Sequence, residues 1–437
     1  MGHKWRQYQD SQKKGRRLTG KTAFILLFAF SIILFAAGSP FLSTSTNPSQ
    51  KLNYTIEENN LRIKFDGHDI HMDGSILPSL EEKTDDKYIS KFGKDGQVTY
   101  TIDPVLQEKM TELFQKFQVP YGAFVAINPK TGRVLAMVEY SEGSTTSPHP
   151  AQHLALRATY PAASIFKLIT GAAALEKGKA DPETVINFSG AFYSLTPRNW
   201  KDNPRRDKNK ITLADALAKS CNVAFAKVAL RWLSSWDLNH YAEKFGFNKP
   251  LDFELPVQTS RIHAENTESS IAKTAAGFGD VTLSPLHGVM IASAIANNGK
   301  MMAPRIIDRV SVNGRDIYNF KSKELYQSIS NETAEKLKYM MTKTIEKGTS
   351  RHAFHTSNGE SYLKDITVGG KTGSLDGDNP KGEYSWFVGM APIDNPEIAV
   401  AALIINKPVW KIKAPYIARE GLLTYFNRDK LKVASLK

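Results

Sequence analysis

Strand-like and helical patterns are segregated along this chain in a way that leaves few folds open. Two short apolar runs, Ala123 to Ile127 and Val134 to Val138, flank the turn-rich Asn128-Pro129-Lys130-Thr131-Gly132 and read as a hairpin. Three more strand signals return only near the far end, at Thr367 to Thr372, Tyr384 to Met390 and Glu397 to Ile405. From Ser164 to about Asn298 the patterns are mostly helical. A helix is expected over 105–117, and another over 416–426. A sheet must bury a face, so this order predicts a mixed α/β (α+β) fold. One antiparallel sheet is built from both ends of the domain, flanked by helices, with a helical lobe inserted between.

Three fragments inside that frame carry matched chemistry. Ser164-Ile165-Phe166-Lys167 puts a hydroxyl and an amine three residues apart, on one face of a helix. Ser220-Cys221-Asn222 offers a second hydroxyl with an amide, and Lys371-Thr372-Gly373-Ser374 a second lysine beside a glycine. Each pattern alone is weak: S-x-x-K recurs at Ser11, Ser270 and Ser361, and K-T-G at Lys130. Context selects one of each. Only Ser164 opens a long apolar run, with Pro161 just before it; Ser220 lies between the other two fragments in an apolar helical pattern; only Lys371 follows a glycine pair, Gly369-Gly370, and leads into a strand. A serine is a poor nucleophile until a base takes its proton, and a lysine acts as that base only when burial or a nearby cation lowers its pKa. Such a site requires no histidine, metal or cofactor.

The trio resembles the serine acyl-transferases that include penicillin-binding proteins and serine β-lactamases. The likeness runs from about Thr99 onward and takes in the first hairpin, the turn at Tyr160 to Lys167 and the segment Gly277 to Gly299. It is similar in particular to the monofunctional class B penicillin-binding protein transpeptidases, with an unusually short N-terminal region. The resemblance implies a peptidoglycan D,D-transpeptidase that forms an acyl-enzyme at Ser164 and is acylated by β-lactams. It implies that Lys167 or Lys371 serves the proton transfers, that Ser220 passes a proton to the leaving amine, and that Asn222 holds a substrate backbone group. It also implies that the N–H groups of Ser164 and Ser374 bind the oxyanion, that Gly373 permits close approach, and that Lys371, Thr372 and Ser374 bind the terminal carboxylate. A D,D-carboxypeptidase or β-lactamase would use the same serine with water, and Glu254 with Gln258 is the local candidate for a hydrolytic base. A structural turn at Pro256 is the plainer account of that pair.

The formal charge of +13 does not call for nucleic acid. Seven basic residues against Asp10 give the first 21 residues a net +6, and the rest is dispersed. Thr22 to Gln50 is free of charge and Ala23 to Ala37 is apolar except for Ser31, which reads as a membrane anchor with the amino terminus in the cytoplasm. A cleaved signal ending near Gly38 is the alternative. The expected organisation is a basic tail at 1–21, an anchor at 22–42, a linker and small annex at 43–98, and a transpeptidase domain at 99–437. That places the enzyme on the cytoplasmic (inner) membrane as a single-pass protein with its catalytic part outside. Its partners would be peptidoglycan stem peptides, β-lactams and a membrane glycosyltransferase, since the chain has no room for one of its own. A penicillin sensor is disfavoured, because 21 residues are too few for an output domain.

Other features are read plainly. The lone Cys221 excludes an internal disulfide and is expected as a buried filler facing away from the cleft. His68, Asp69, His71 and Asp73 are expected to be solvated rather than metal-bound. Asp376-Gly377-Asp378-Asn379 is expected as a surface loop. Trp200 with Lys201, Arg205 and Arg206 reads either as a contact for anionic glycan-peptide polymer or as a wet loop.

Overall fold

A computed structural model describes residues 82–84, 86–142, 153–407 and 411–435 together with residue 80; of residues 54–58, 61–65 and 70–72 it describes the backbone. The last three segments are strands β1 (Tyr54–Glu58), β2 (Leu61–Phe65) and β3 (Ile70–Met72), paired antiparallel in that order. Then come β4 (Glu82–Lys83), β5 (Tyr88–Phe92), β6 (Gly96–Tyr100), helix α1 (Pro104–Phe117), and the hairpin β7 (Tyr121–Ile127) and β8 (Val134–Ser141). Asp103 caps α1 by accepting from the Leu106 amide, and Pro104 fills its first turn, where no donor is needed.

The helical lobe includes α2 (Lys167–Glu176), α3 (Leu213–Ala218), α4 (Asn222–Trp232) and α5 (Pro285–Ala296). After it come strands β9 (Ile307–Val312) and β10 (Arg315–Asn319), helix α6 (Asn331–Glu346), strands β11 (Gly369–Asp378), β12 (Lys381–Ala391) and β13 (Ile398–Asn406), and helix α7 (Ala414–Ser435).

The main sheet has the order β11-β12-β13-β7-β8, antiparallel throughout, so early and late strands meet at the β13–β7 seam. Every residue of the central β13 is buried, as expected of a strand covered on both faces. Its side chains alternate between two cores. Ala399, Ala401, Leu403 and Ile405 join the core under the helical lobe, and Ile398, Val400, Ala402 and Ile404 the one under α1 and α7. On the lobe side lies α5, buried at every position because both the sheet and other helices cover it.

Two expectations about organisation change. The boundary drawn at 98/99 falls inside β6, which pairs with β9; β4, β5 and β6 are thus three strands of a five-stranded sheet completed by β9 and β10. The Asp376–Asn379 segment is not a loop: β11 and β12 stay in register to Asp378↔Lys381, leaving Asn379-Pro380 as the turn. Among the described residues no helix is long and apolar enough to cross a membrane; the stretch 22–42 read as an anchor, the tail before it and the linker after it lie outside the described residues. His68, Asp69 and Asp73 also lie outside them, and among the described residues no group of acidic, His or Cys side chains gathers as a metal site.

Candidate active site

The turn that presents Ser164 is clamped from several sides. Strand residues Tyr160–Pro161 pair with Thr282–Leu283, the Ala162 amide donates to the Val281 carbonyl, and the Trp386 indole of β12 donates to the Pro161 carbonyl at 3.0 Å. Ala163 then adopts φ 49°, a left-handed conformation unfavourable for a residue with a Cβ. A 3-10 turn over Ala163–Phe166 follows and runs directly into α2. Gly277, at φ +90°, permits this packing: a Cβ there would sit 1.8 Å from the Ala163 carbonyl oxygen. From the other side Gly373 of β11 faces Ala163, a Cβ built on it lying 3.3 Å from that of Ala163.

Lys167 opens α2 with its side chain fully buried. Its ammonium donates to Ser164 Oγ at 2.6 Å, to Asn222 Oδ1 at 2.8 Å and to the Ala276 carbonyl at 2.8 Å. Three neutral acceptors and no carboxylate surround it, so burial lowers its pKa to about 7, with a small opposing contribution from the Cys221 side. Lys371, equally buried, donates to Ser220 Oγ at 2.9 Å and to the Thr372 carbonyl at 2.6 Å. Burial and then the charge of Lys167 hold it well below the ordinary lysine value. Desolvation, more than a neighbouring cation, is thus what depresses both amines.

Ser220 is not in a helix, contrary to the apolar pattern around it. It sits between α3 and α4 at φ 55°, and Asn222 is the first residue of α4. This tight turn aims the hydroxyl at Lys371 and the amide at Lys167. The Asn222 amide is largely committed to the protein: besides accepting from Lys167, its Nδ2 donates to the Tyr193 carbonyl at 3.0 Å, leaving one N–H for another partner. Cys221 is buried in the hydrophobic core as expected; burial raises its pKa, with the charge of Lys167 acting in the opposite sense.

β11 is the edge strand of the main sheet. Thr372 and Ser374, two apart, share one face of it. Lys371 and Gly373 share the other, the face turned to the Ala163–Ile165 turn, so the Lys371 ammonium is buried on Ser220 and does not join the Thr372 and Ser374 hydroxyls. Thr349, which sequence reasoning missed, meets Thr372 Oγ to Oγ at 2.5 Å. Its loop is fixed by its amide donating to the Ala218 carbonyl, and by Gly348, where a Cβ would lie 2.3 Å from that same oxygen. Only the glycine hinted at that close approach. The carbonyls of Ala276 and Tyr193 carry no side-chain signal and had none.

Two rival readings fare differently from this cluster. Glu254 is buried with its carboxylate accepting from the Ile306 and Ile307 amides, so it anchors the start of β9, and Gln258 accepts from the Ala158 amide. The pair is structural. Trp200 is buried in a small core with Leu195, Ala226, Ala272 and Ala276, so it offers no face to a polymer.

Two buried lysines, one bonded to the Ser164 hydroxyl and one to the Ser220 hydroxyl, and near enough for the charge of Lys167 to act on Lys371, thus make two hydroxyl–amine pairs suited to acyl transfer. Comparison with known proteins agrees with that chemistry. The profile described as penicillin binding protein transpeptidase domain matches residues 122–420. The chain is 28% identical over 369 residues to the peptidoglycan D,D-transpeptidase PbpA of Mycobacterium tuberculosis, covering 77% of this chain and 72% of that one. It is 25% identical over 417 residues to the peptidoglycan D,D-transpeptidase MrdA of Haemophilus influenzae, covering 83% and 60%. Among solved structures, the ceftriaxone acyl-enzyme complex of M. tuberculosis penicillin-binding protein A matches with a TM-score of 0.62 and 25% identity, over 76% of this chain and 80% of that one.

Proposed function

The chain belongs to the penicillin-binding protein transpeptidase family, and from that premise we propose that it cross-links peptidoglycan through an acyl intermediate on Ser164. The single observation that carries the site assignment is the 2.6 Å contact from the buried Lys167 amine to Ser164 Oγ. With a pKa near 7, a substantial fraction of that amine is neutral at neutral pH and takes the serine proton as Oγ attacks the carbonyl of the penultimate D-alanine. The oxyanion is received by the backbone N–H groups of Ser164 and Ser374; losing one such donor typically costs on the order of a hundredfold or more in rate. Ser220 accepts from Lys371, so its own proton is free to pass to the departing D-alanine amine. The carbon–nitrogen bond breaks, and the acyl group stays on Ser164 until an amine of a neighbouring strand attacks it.

The substrate carboxylate is assigned to the hydroxyls of Thr372 and Ser374, with Thr349 orienting Thr372. Lys371 contributes charge from its buried place on Ser220. The free edge of β11 offers backbone groups to an extended peptide, and Gly373 lets it approach closely. β-Lactams present the same carboxylate and acylate the same serine. The catalytic part faces outward from a membrane anchor at 22–42, a reading supported by the basic leader before that charge-free stretch. A membrane glycosyltransferase supplies the polymerised strands; recovery of no such partner through residues 1–42 counts against that.

The test is labelled benzylpenicillin with intact-mass and peptide analysis, followed by product analysis on purified wall fragments. A single adduct on Ser164, absent in Ser164→Ala, and cross-linked dimers as products are expected. An adduct elsewhere, or trimmed monomers only, defeats the assignment.

A further inference from the structure

The segment beside Asn222 carries far more positive charge than its own folding uses. Between 198 and 210 there are six cations, Arg198, Lys201, Arg205, Arg206, Lys208 and Lys210, all exposed, against two acids. Both acids are engaged from beneath. The fully buried Lys227 ammonium of α4 donates to Asp202 at 2.9 Å and to Asp207 at 2.7 Å, and Arg231 grips Asp202 through two contacts of 2.7 Å. Lys201 meets Glu268 at the surface. The other five cations make no ion pair among the described residues.

The segment is also held in one shape. Asn203 Oδ1 accepts from the Arg205 and Arg206 amides, Arg206 donates to the Arg198 carbonyl, and Thr196 with Asn199 forms a capping box at its start. Clustering like charges on a fixed surface opposes folding, and it focuses the field on whatever anion approaches. Its position adds the second argument. The same stretch of chain supplies the Phe192 and Tyr193 carbonyls that receive Asn222, and Lys227 lies five residues along α4, a rise of about 7.5 Å. An extended stem peptide of four or five residues reaches about 15 Å beyond the scissile bond.

We propose that residues 198–210 form a cationic platform that binds free carboxylates on the donor stem peptide upstream of its scissile bond, making the enzyme selective for acidic over amidated stems. This deepens the transpeptidase reading and rests on it. A phosphodiester wall polymer is the other polyanion such a surface attracts, and the experiment separates the two.

The full-length protein and its Arg198→Gln/Arg205→Gln/Lys210→Gln variant are compared for acyl-enzyme formation with two synthetic D-Ala-D-Ala pentapeptides, one with its upstream carboxylates free and one with them amidated. Benzylpenicillin is the control. Each surface ion pair contributes a factor of about two, so the variant should lose about tenfold in kcat/KM on the acidic peptide. It should change less than twofold on the amidated peptide and on penicillin, and 0.5 M salt, taken as roughly a strong-screening condition, should reproduce the selective loss in the parent protein. Equal effects on both peptides, no effect on either, or binding of a polyphosphate probe without discrimination between the peptides overturns the platform. If benzylpenicillin does not acylate the parent protein, the transpeptidase reading fails and the platform with it.

Discussion

Lys167 shows how much of a reactive group is set by what is missing around it. Its amine has three neutral hydrogen-bond acceptors, and only the Cys221 side chain opposes the effect of burial, so the pKa falls to about 7. Acylation by benzylpenicillin is therefore expected to rise about tenfold per pH unit below 7 and to level off above it, because only the free base accepts the serine proton. A stopped-flow or gel-based acylation profile that stays flat from pH 5.5 to 8 would remove Lys167 from that role. Lys167→Ala should slow acylation by roughly a hundredfold to ten-thousandfold, the usual reach of a lost general base, with the protein still folded. The candidates at this scale were legible in the sequence because hydroxyls and amines announce their chemistry. The acceptors that complete the site were not: the Ala276 and Tyr193 carbonyls belong to every residue type alike, and Thr349 comes from a loop with no sequence link to Thr372.

Elements place these groups through backbone conformations that their sequences disfavour. Ala163 and Ser220 both take positive φ, and both adjoin reacting groups, as strained residues in active sites often do. Gly277 makes the first of these possible. Gly277→Ala should shift the Ala163–Ser164 turn and the Ala276 carbonyl together, since the new Cβ would overlap the Ala163 oxygen at 1.8 Å. The cost should be about 2 kcal/mol or more in stability, with acylation reduced at least tenfold, as two independent readouts, thermal unfolding and penicillin labelling, will report. An unchanged melt with unchanged labelling would mean the turn tolerates displacement. Periodicity found the strands of the main sheet, including β13, whose unbroken apolar run fits the burial on both faces that the structure shows. It missed the break at Ser220 because the apolar pattern continues across it while the backbone turns, and it missed residues 373–378 of β11, whose Asp376-Gly377-Asp378 end mimics a loop.

On the scale of the whole molecule, two buried titratable groups far from any role in acyl transfer act on stability in opposite senses. Glu254 joins the lobe to β9 through the Ile306 and Ile307 amides, and burial raises its pKa from 4.5 to about 7. The folded state then holds a proton that the unfolded state has released, so this group's contribution falls as pH rises from about 4.5 to 7. His287 in α5 donates from Nε2 to the Phe245 carbonyl at 2.7 Å and is fully buried, which lowers its pKa from 6.5 to about 4. Here the unfolded state binds the extra proton, and the contribution grows from about pH 4 to 6.5. The two slopes nearly cancel in the native protein, and single substitutions should expose each. Relative to the parent, Glu254→Gln should gain stability as pH rises from 4.5 to 7, and His287→Gln should lose it from 4 to 6.5, each by about 3 kcal/mol, since one pKa unit is about 1.4 kcal/mol. Denaturant melts at half-unit pH steps measure both differences. Parallel curves for either variant would show that its group titrates in the native state as it does in the unfolded chain, and the burial that joins β9 to the helical lobe would then be wetter than its packing implies.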